Sequence, residues 1–418
     1  MIKKIWIWNH YATNMFYDQA GRHYSFAENL INQGYEVTIF CASTLHFSKE
    51  NIDTNGKKFI LNKVNGIPFV FVKTCDYTGN SIQRLKNMFY FYKNMFPVSK
   101  EILKEIERPD IIIASSVHPL TLVAGIKIAR KFKIPCICEV RDLWPESIVA
   151  YGLLKKDSVL VKILYKGEKW IYKNADSIIM TWPGGKQYII DKKWENKIDL
   201  DKIEYISNGI DIEKFDFKSE YFIAHDIDLG NMNYKNVVYA GSIRKVNNIG
   251  ILLDSAKIIQ DKGYKDIRFL IYGSGDELEE LNNRCIYEQI DNIRLKGKVE
   301  KKYIPYILKK SYINILHNRS TTLDKYGQSQ NKLFEYLAAG RAIVQTYKTA
   351  YSIFEDNNCG VMTSVQTPEE IAEEIIKICE NNNYYINENA RKVAYNFDFK
   401  ELTKKLVNMI ERLDTGEI

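Results

Sequence analysis

Residues 327–341, GQSQNKLFEYLAAGR, place polar side chains where they could do chemistry. Ser329 stands as an N-cap, Leu333, Leu337 and Ala338 recur at helical spacing, and Gly340 is a stop signal, so the pattern predicts a helix over about 330–339. The first-turn amides of such a helix have no intrahelical partner and carry the positive end of its dipole, which suits the backbone at Asn331 and Lys332 to a diphosphate. Lys332 adds a full charge there. Glu335 lies four residues after Asn331, one turn further on the same face, where a carboxylate can accept hydrogen bonds from two vicinal sugar hydroxyls. Diphosphate followed by ribose describes a nucleotide. A Lys and a Glu three apart are also common on solvated helix faces, so the surrounding elements must carry part of the inference.

A chain of 418 residues is too long for one ordinary core and fits two domains of about 200 residues, for which 45% apolar and 13% aromatic residues suffice. Lys and Arg outnumber Asp and Glu by 59 to 52, a net +7 without a polybasic tail. This mild excess suits an anionic substrate or membrane surface, and a nucleic-acid partner, which calls for a dense basic face, is not expected. The seven cysteines are widely spaced, with no Cys-x-x-Cys and no Cys/His cluster, so they read as reduced, and no metal site is expected. The opening MIKKIWIWNH has no apolar leader core and no run approaches 18 apolar residues, which predicts a cytoplasmic protein.

The elements that must position residues 327–341 read as alternating strands and helices. Strand 2–8, a loop, helix 22–33 and strand 35–40 make one βαβ unit. Only Gly21 follows the first strand, behind a loop of about a dozen residues. The Gly-x-Gly-x-x-Gly of a nicotinamide site is missing, although a glycine at a helix start also lets a ligand approach the backbone. Strand 110–116, helix 119–132 and strand 136–140 continue the pattern. His118 and the loop from Arg141 to Glu146 lie beyond carboxyl ends of strands, where open parallel sheets build sites. His118 precedes Pro119 at a first helical position and is thereby held extended. The stretch 211–235 has no clear period and reads as a linker, after which the alternation restarts. The expected domains are 1–210, a linker 211–235, 236–395, and a final helix 396–418 packing back on the first domain. Residues 83–108, where aromatics mix with Arg84, Lys86, Lys93, Lys100 and Lys104, read either as an interfacial helix on anionic lipid or as a core-facing helix with snorkelling lysines.

Six stretches in order along the chain resemble the motifs of the family 4 glycosyltransferases, a large retaining group with the GT-B fold. They are Gly21-Arg22, Asn208-Gly209-Ile210-Asp211, Gly241 to Lys245, Tyr272-Gly273-Ser274-Gly275, Gly297-Lys298-Val299 and Asn331 to Gly340. The phrase EVRDLWPES at 139–147 is similar to the branch that builds bacterial O-antigen and capsular sugars, including N-acetylfucosamine-type transferases. The resemblance implies two doubly wound Rossmann-like α/β domains facing across a cleft, and metal-independent transfer of a hexosyl or N-acetylhexosaminyl group from a UDP-sugar to a glycan or lipid-linked glycan. It places Gly21, Arg244 or Lys245, Gly273, Lys298, Asn331, Lys332 and Glu335 on the donor. His118 would contact the donor sugar or position the acceptor, and Asp142 would line the acceptor side. Many family members carry a second Glu eight residues before the ribose Glu, where this chain has Gly327. A UDP-sugar 2-epimerase on the same fold and a non-catalytic scaffold are the alternatives.

Overall fold

Runs of β-branched and aromatic residues between turn signals form the strands, and most are buried on both faces, as parallel sheets require. In a computed structural model, which describes residues 2–45, 51–77, 82–116, 118–381 and 384–417, the strands fall into two sheets. The first contains β1 (Lys4–Trp8), β2 (Glu36–Ala42), β3 (Phe59–Val64), β4 (Ile67–Val72), β5 (Ile111–Ser115), β6 (Cys136–Val140), β7 (Ser177–Met180) and β8 (Ile203–Tyr205), in the order β3-β4-β2-β1-β5-β6-β7-β8. Only the β3–β4 pair is antiparallel among these neighbours. The second contains β9 (Lys235–Ala240), β10 (Ile267–Tyr272), β11 (Ile293–Gly297), β12 (Ile313–Leu316), β13 (Ala342–Gln345) and β14 (Val361–Met362), all parallel, in the order β11-β10-β9-β12-β13-β14. Both are doubly wound Rossmann-like sheets. The strand order reverses between β1 and β5 in one and between β9 and β12 in the other, and crevices form beyond the carboxyl ends at such points.

The chain divides into two compact units, one holding everything up to Ser207 together with the stretch from Phe399 onward, the other Asn208–Asp398. Residues 211–235 are therefore not a linker. Asp211 caps a helix Ile212–Tyr221 by accepting from the Lys214 amide at 2.9 Å, and Asp226 caps a short helix Ile227–Gly230. Ile212, Phe215 and Leu229 are buried in the core of the second unit. With so few apolar anchors per helix, no period is visible in the sequence.

The C-terminal stretch differs in a similar way. A final helix over 396–418 is expected; the structure has Phe399–Thr415 there, with a separate helix Tyr384–Tyr395 before it. Between them the Asp398 carboxylate accepts from the Ile212 amide at 3.1 Å, and the Phe397 carbonyl from the Ile210 amide at 3.0 Å, so the break is made by partners far away in sequence. The last helix returns to the first unit, where Leu402, Leu406, Met409 and Ile410 are buried and Phe399 meets Phe26 edge to face at 5.6 Å.

Residues 83–108 include a helix Ile82–Glu101 whose Met88, Phe91, Met95 and Val98 are buried at helical spacing. Its outer face keeps Ile82, Leu85, Phe89 and Tyr90 exposed beside exposed Lys86, Lys93 and Lys100. The buried stripe is that of a core-facing helix, with the lysines on its exposed side. Among the described residues no helix is long and apolar enough to cross a membrane.

Candidate functional site

In the second unit the polar loop after β12 turns into a helix Asn331–Ala339, one residue shorter than expected at its start. Leu333, Phe334, Tyr336, Leu337, Ala338 and Ala339 are buried, and at about 1.5–3 kcal/mol for each large side chain this anchors the helix firmly. Gly340 ends it at φ 60°, ψ 46°, in the left-handed conformation. The N-cap is Gln330, with no side-chain cap, and not Ser329. Ser329 is occupied elsewhere: its Oγ accepts from the Asn208 amide at 2.8 Å and its carbonyl from Asn208 Nδ2 at 2.6 Å. Asn208 thus pins the loop that leads into the helix. The opening amides at Asn331 and Lys332 have no acceptor among the described residues.

Lys332 Nζ donates to Tyr239 Oη at 3.0 Å and lies 4.4 Å above the ring centroid, at the end of β9. A Cβ at Gly241 would fall 2.6 Å from that nitrogen, so the glycine after β9 makes room for the ammonium. Burial pushes the Lys332 ammonium down to about 8, against the pull of Glu335. Glu335, one turn on, is half-buried and has no hydrogen-bond partner among the described residues; burial raises its carboxyl, opposed by Lys332, Lys301 and Lys218. A carboxylate in such a recess is ready for hydroxyl donors.

The other expected donor residues of this unit, Arg244, Lys245, Gly273 and Lys298, lie beyond the ends of β9, β10 and β11. The Gly241 and Ile243 amides donate to the carbonyls of Tyr272 and Ser274 at 2.9 and 3.0 Å. A Cβ at Gly273 would sit 1.8 Å from the Gly241 carbonyl and one at Gly275 1.7 Å from that of Ile243. These glycines thus let two loops close on each other. Arg244, Lys245 and Lys298 are exposed, on the loop after β9 and just beyond β11. Gly327 adopts φ 83°, ψ −160°, a conformation essentially restricted to glycine, so a Glu would be strained where this chain lacks one.

Gly21, His118 and Asp142 lie in the first unit. Gly21 caps the helix Arg22–Asn32 at φ 108°, and a Cβ there would come within 3.2 Å of the Met15 side chain. His118 is extended (φ −149°, ψ 150°) before Pro119, as expected, and is fully buried. Its Nε2 lies 2.6 Å from His10 Nδ1, while its Nδ1 has no partner among the described residues. Burial, then His10 and Arg84, push its imidazole well below the usual histidine range, so it is neutral at pH 7. Asp142 follows β6 and is exposed.

Beneath these residues runs a buried network that sequence reading missed. Glu139 in β6 accepts from Arg22 Nε at 2.7 Å, His23 Nε2 at 2.7 Å and Ser115 Oγ at 2.6 Å. Arg22 also donates to the Ser207 and Ile206 carbonyls, and Asn9 Nδ2 to His23 Nδ1 at 2.9 Å. Although burial alone would raise it, Arg22 and His23 hold the Glu139 carboxyl well below its usual range. The available signal was a carboxylate inside an apolar strand, CICEV. Among the described residues no three His, Cys, Asp or Glu side chains gather as a metal site.

Comparison with known proteins converges on this architecture. Residues 22–214 match the Glycosyltransferase Family 4 domain, and residues 234–381 match the Glycosyl transferases group 1 domain. The chain carries both domains of the family 4 glycosyltransferases. It is 29% identical over 256 residues to the uncharacterized glycosyltransferase MJ1069 of Methanocaldococcus jannaschii, covering 59% of this chain and 60% of that protein. It is 22% identical over 205 residues to the probable glycosyltransferase WbjE of Pseudomonas aeruginosa, covering 49% of each. The chain therefore spans about half to three-fifths of the curated relatives it matches. The crystal structure of HepE from Anabaena in complex with UDP and glucose superposes with a TM-score of 0.66 at 14% identity, over 98% of this chain and 100% of that one. At that identity the likeness shows the two-domain GT-B fold of this family 4 chain and nothing finer.

Proposed function

We propose that the protein is a retaining glycosyltransferase that moves a hexosyl or N-acetylhexosaminyl group from a UDP-sugar to a hydroxyl of a glycan or lipid-linked glycan, in the building of a surface polysaccharide such as O-antigen or capsule. The observation that carries the reading is Lys332, its ammonium held at Tyr239 beside the open start of helix Asn331–Ala339, with Glu335 one turn on and without a hydrogen-bond partner among the described residues. The diphosphate lies against the opening amides and Lys332, with Arg244 or Lys245 reaching it from the loop after β9, and the ribose hydroxyls donate to Glu335. Gly273 shapes the loop floor, the main chain at Lys298 holds the base, and Gly21 keeps its helix start open. In the transfer the bond from the anomeric carbon to the diphosphate oxygen breaks as the acceptor oxygen bonds that carbon from the same face. The acceptor's proton passes to the departing phosphate. Charge grows on the diphosphate through an oxocarbenium-like state, and the protein cations take it up, so the reading requires no divalent metal. His118 receives a sugar hydroxyl, and Asp142 lines the acceptor side. The EVRDLWPES phrase, which resembles O-antigen and capsule enzymes, supports the acceptor class.

A ligand at a hundred times its dissociation constant adds about 2.7 kcal/mol, and a domain of this size gains about 2–4 °C per kcal/mol. UDP-glucose and UDP-N-acetylglucosamine are expected to raise the unfolding midpoint accordingly, and Glu335→Ala to lose the shift. Equal protection of the variant, or none of the wild type by any UDP-sugar, would refute the assignment. The lysine and apolar face of helix Ile82–Glu101 supports work at the inner membrane surface. The protein should then sediment with phosphatidylglycerol vesicles, less so as salt rises; equal recovery in the supernatant with and without vesicles removes that contact.

A further inference from the structure

His10 and His118 meet where the order of the first sheet reverses. One follows β1, the other follows β5 and opens helix Pro119–Phe132. Their rings stand edge on at 4.8 Å and 89°, with His118 Nε2 2.6 Å from His10 Nδ1. On its far side His10 Nε2 lies 2.6 Å from Asn87 Oδ1. The Asn87 amide can face only one way, because its Nδ2 donates to the Cys75 carbonyl, which has no hydrogen to offer. Thr44 Oγ1 receives a second bond from it at 3.2 Å. Oδ1 therefore faces His10 and can only accept, so His10 Nε2 carries a hydrogen. In a neutral His10 ring Nδ1 is then a lone pair, and His118 Nε2 must donate to it. What remains on His118 is Nδ1, an unprotonated, buried acceptor with no partner among the described residues. His10 is stacked between Tyr11 at 4.6 Å and Phe91 at 4.7 Å, so its ring orientation is held.

We propose that Asn87 and His10 are positioning residues that hold His118 in its Nε2–H tautomer, so that its Nδ1 lone pair accepts a hydrogen bond from a sugar hydroxyl. Buried acceptors are normally satisfied, and a hydroxyl of a bound carbohydrate is the donor the transferase reading supplies. The assignment of the ligand rests on that reading; the tautomer does not. His118 then acts as an acceptor that orients a hydroxyl and never as an acid. A fixed second partner setting the free nitrogen of a histidine is the same logic that orients catalytic and metal-bound imidazoles.

The test uses the full chain labelled with ¹⁵N at its histidine rings. Long-range proton–nitrogen correlation in the wild type, without ligand, is expected to show His118 neutral and protonated at Nε2 at neutral pH. A signal from an Nδ1–H ring or an imidazolium would overturn the relay, and this arm needs neither a variant nor a substrate. His10→Phe keeps a stacked ring but removes the acceptor, and His118 should then divide between tautomers. His10→Asn, whose Oδ1 can replace Nδ1, should restore the wild-type signal. With UDP-glucose or UDP-N-acetylglucosamine as donor, His10→Phe should raise KM for a sugar substrate about tenfold, the worth of one hydrogen bond, with UDP affinity unchanged. His10→Asn should stay within about twofold of wild type. The expected tautomer with an unchanged KM in His10→Phe would overturn the ligand role. Should the wild type transfer no sugar, the transferase reading fails while the nuclear magnetic resonance result still decides the relay.

Discussion

Lys332→Met is expected to lower kcat for sugar transfer by about 10²- to 10³-fold, the effect of removing one well-placed charge-stabilising donor from a site of this kind. The nitrogen is held by Tyr239 in the space a side chain at Gly241 would occupy, so in the proposed donor site it would meet the developing charge without reorganisation. Methionine matches the lysine stem closely, which should leave the unfolding midpoint nearly unchanged and separate chemistry from stability. Because burial pushes the ammonium down to about 8, its charge is present below that pH and lost above it. The wild-type kcat/KM should therefore fall as pH rises through about 8, and the methionine variant should lack that limb. Steady-state kinetics across pH 6 to 10 with a UDP-sugar check both points, and a loss smaller than about tenfold would remove Lys332 from the transition state.

Glu139→Ala carries the largest expected loss of stability. It leaves Arg22 buried without its counter-charge and strips His23 and Ser115 of an acceptor, and breaking a buried pair in this way costs about 3–5 kcal/mol. The network lies under the ends of β5 and β6 and also ties Arg22 to the carbonyls of Ile206 and Ser207, at the edge of the first unit. At about 2–4 °C per kcal/mol, calorimetry should show the first unit melting on the order of 10 °C lower. The second unit, Asn208–Asp398, should keep its midpoint. A fall of less than about 2 °C would mean that the network contributes little to the fold.

Most strands and the helix Asn331–Ala339 were legible in the sequence because each is specified by local signals, an apolar run between turn residues or a helical stripe ended by Gly340; the hairpin of β3 and β4 and the two-residue β14 were not read. The same holds for the extended, Pro-fixed backbone of His118. Helix Ile212–Tyr221 was hidden, since Ile212 and Phe215 are too few to show a period until the second unit buries them. The break at Asn396–Asp398 contains neither Gly nor Pro; it is imposed by Ile210 and Ile212, nearly two hundred residues earlier. Ser329 fits an N-cap pattern, but Asn208 claims its hydroxyl, a contact that no local rule predicts. The glycines at 273 and 275 were visible as such, while their reason, two carbonyls under 2 Å from where their Cβ atoms would lie, is tertiary. His10 and Asn87 left no signal because the partners of His10 lie 77 and 108 positions away.

A crystal structure of the protein with UDP tests the central claim most directly. Phosphate oxygens are expected within hydrogen-bonding distance of Lys332 Nζ and the amides at Asn331 and Lys332, with the ribose hydroxyls on the Glu335 carboxylate. UDP bound elsewhere, with Lys332 still engaged only by Tyr239 and Glu335 untouched, would contradict it.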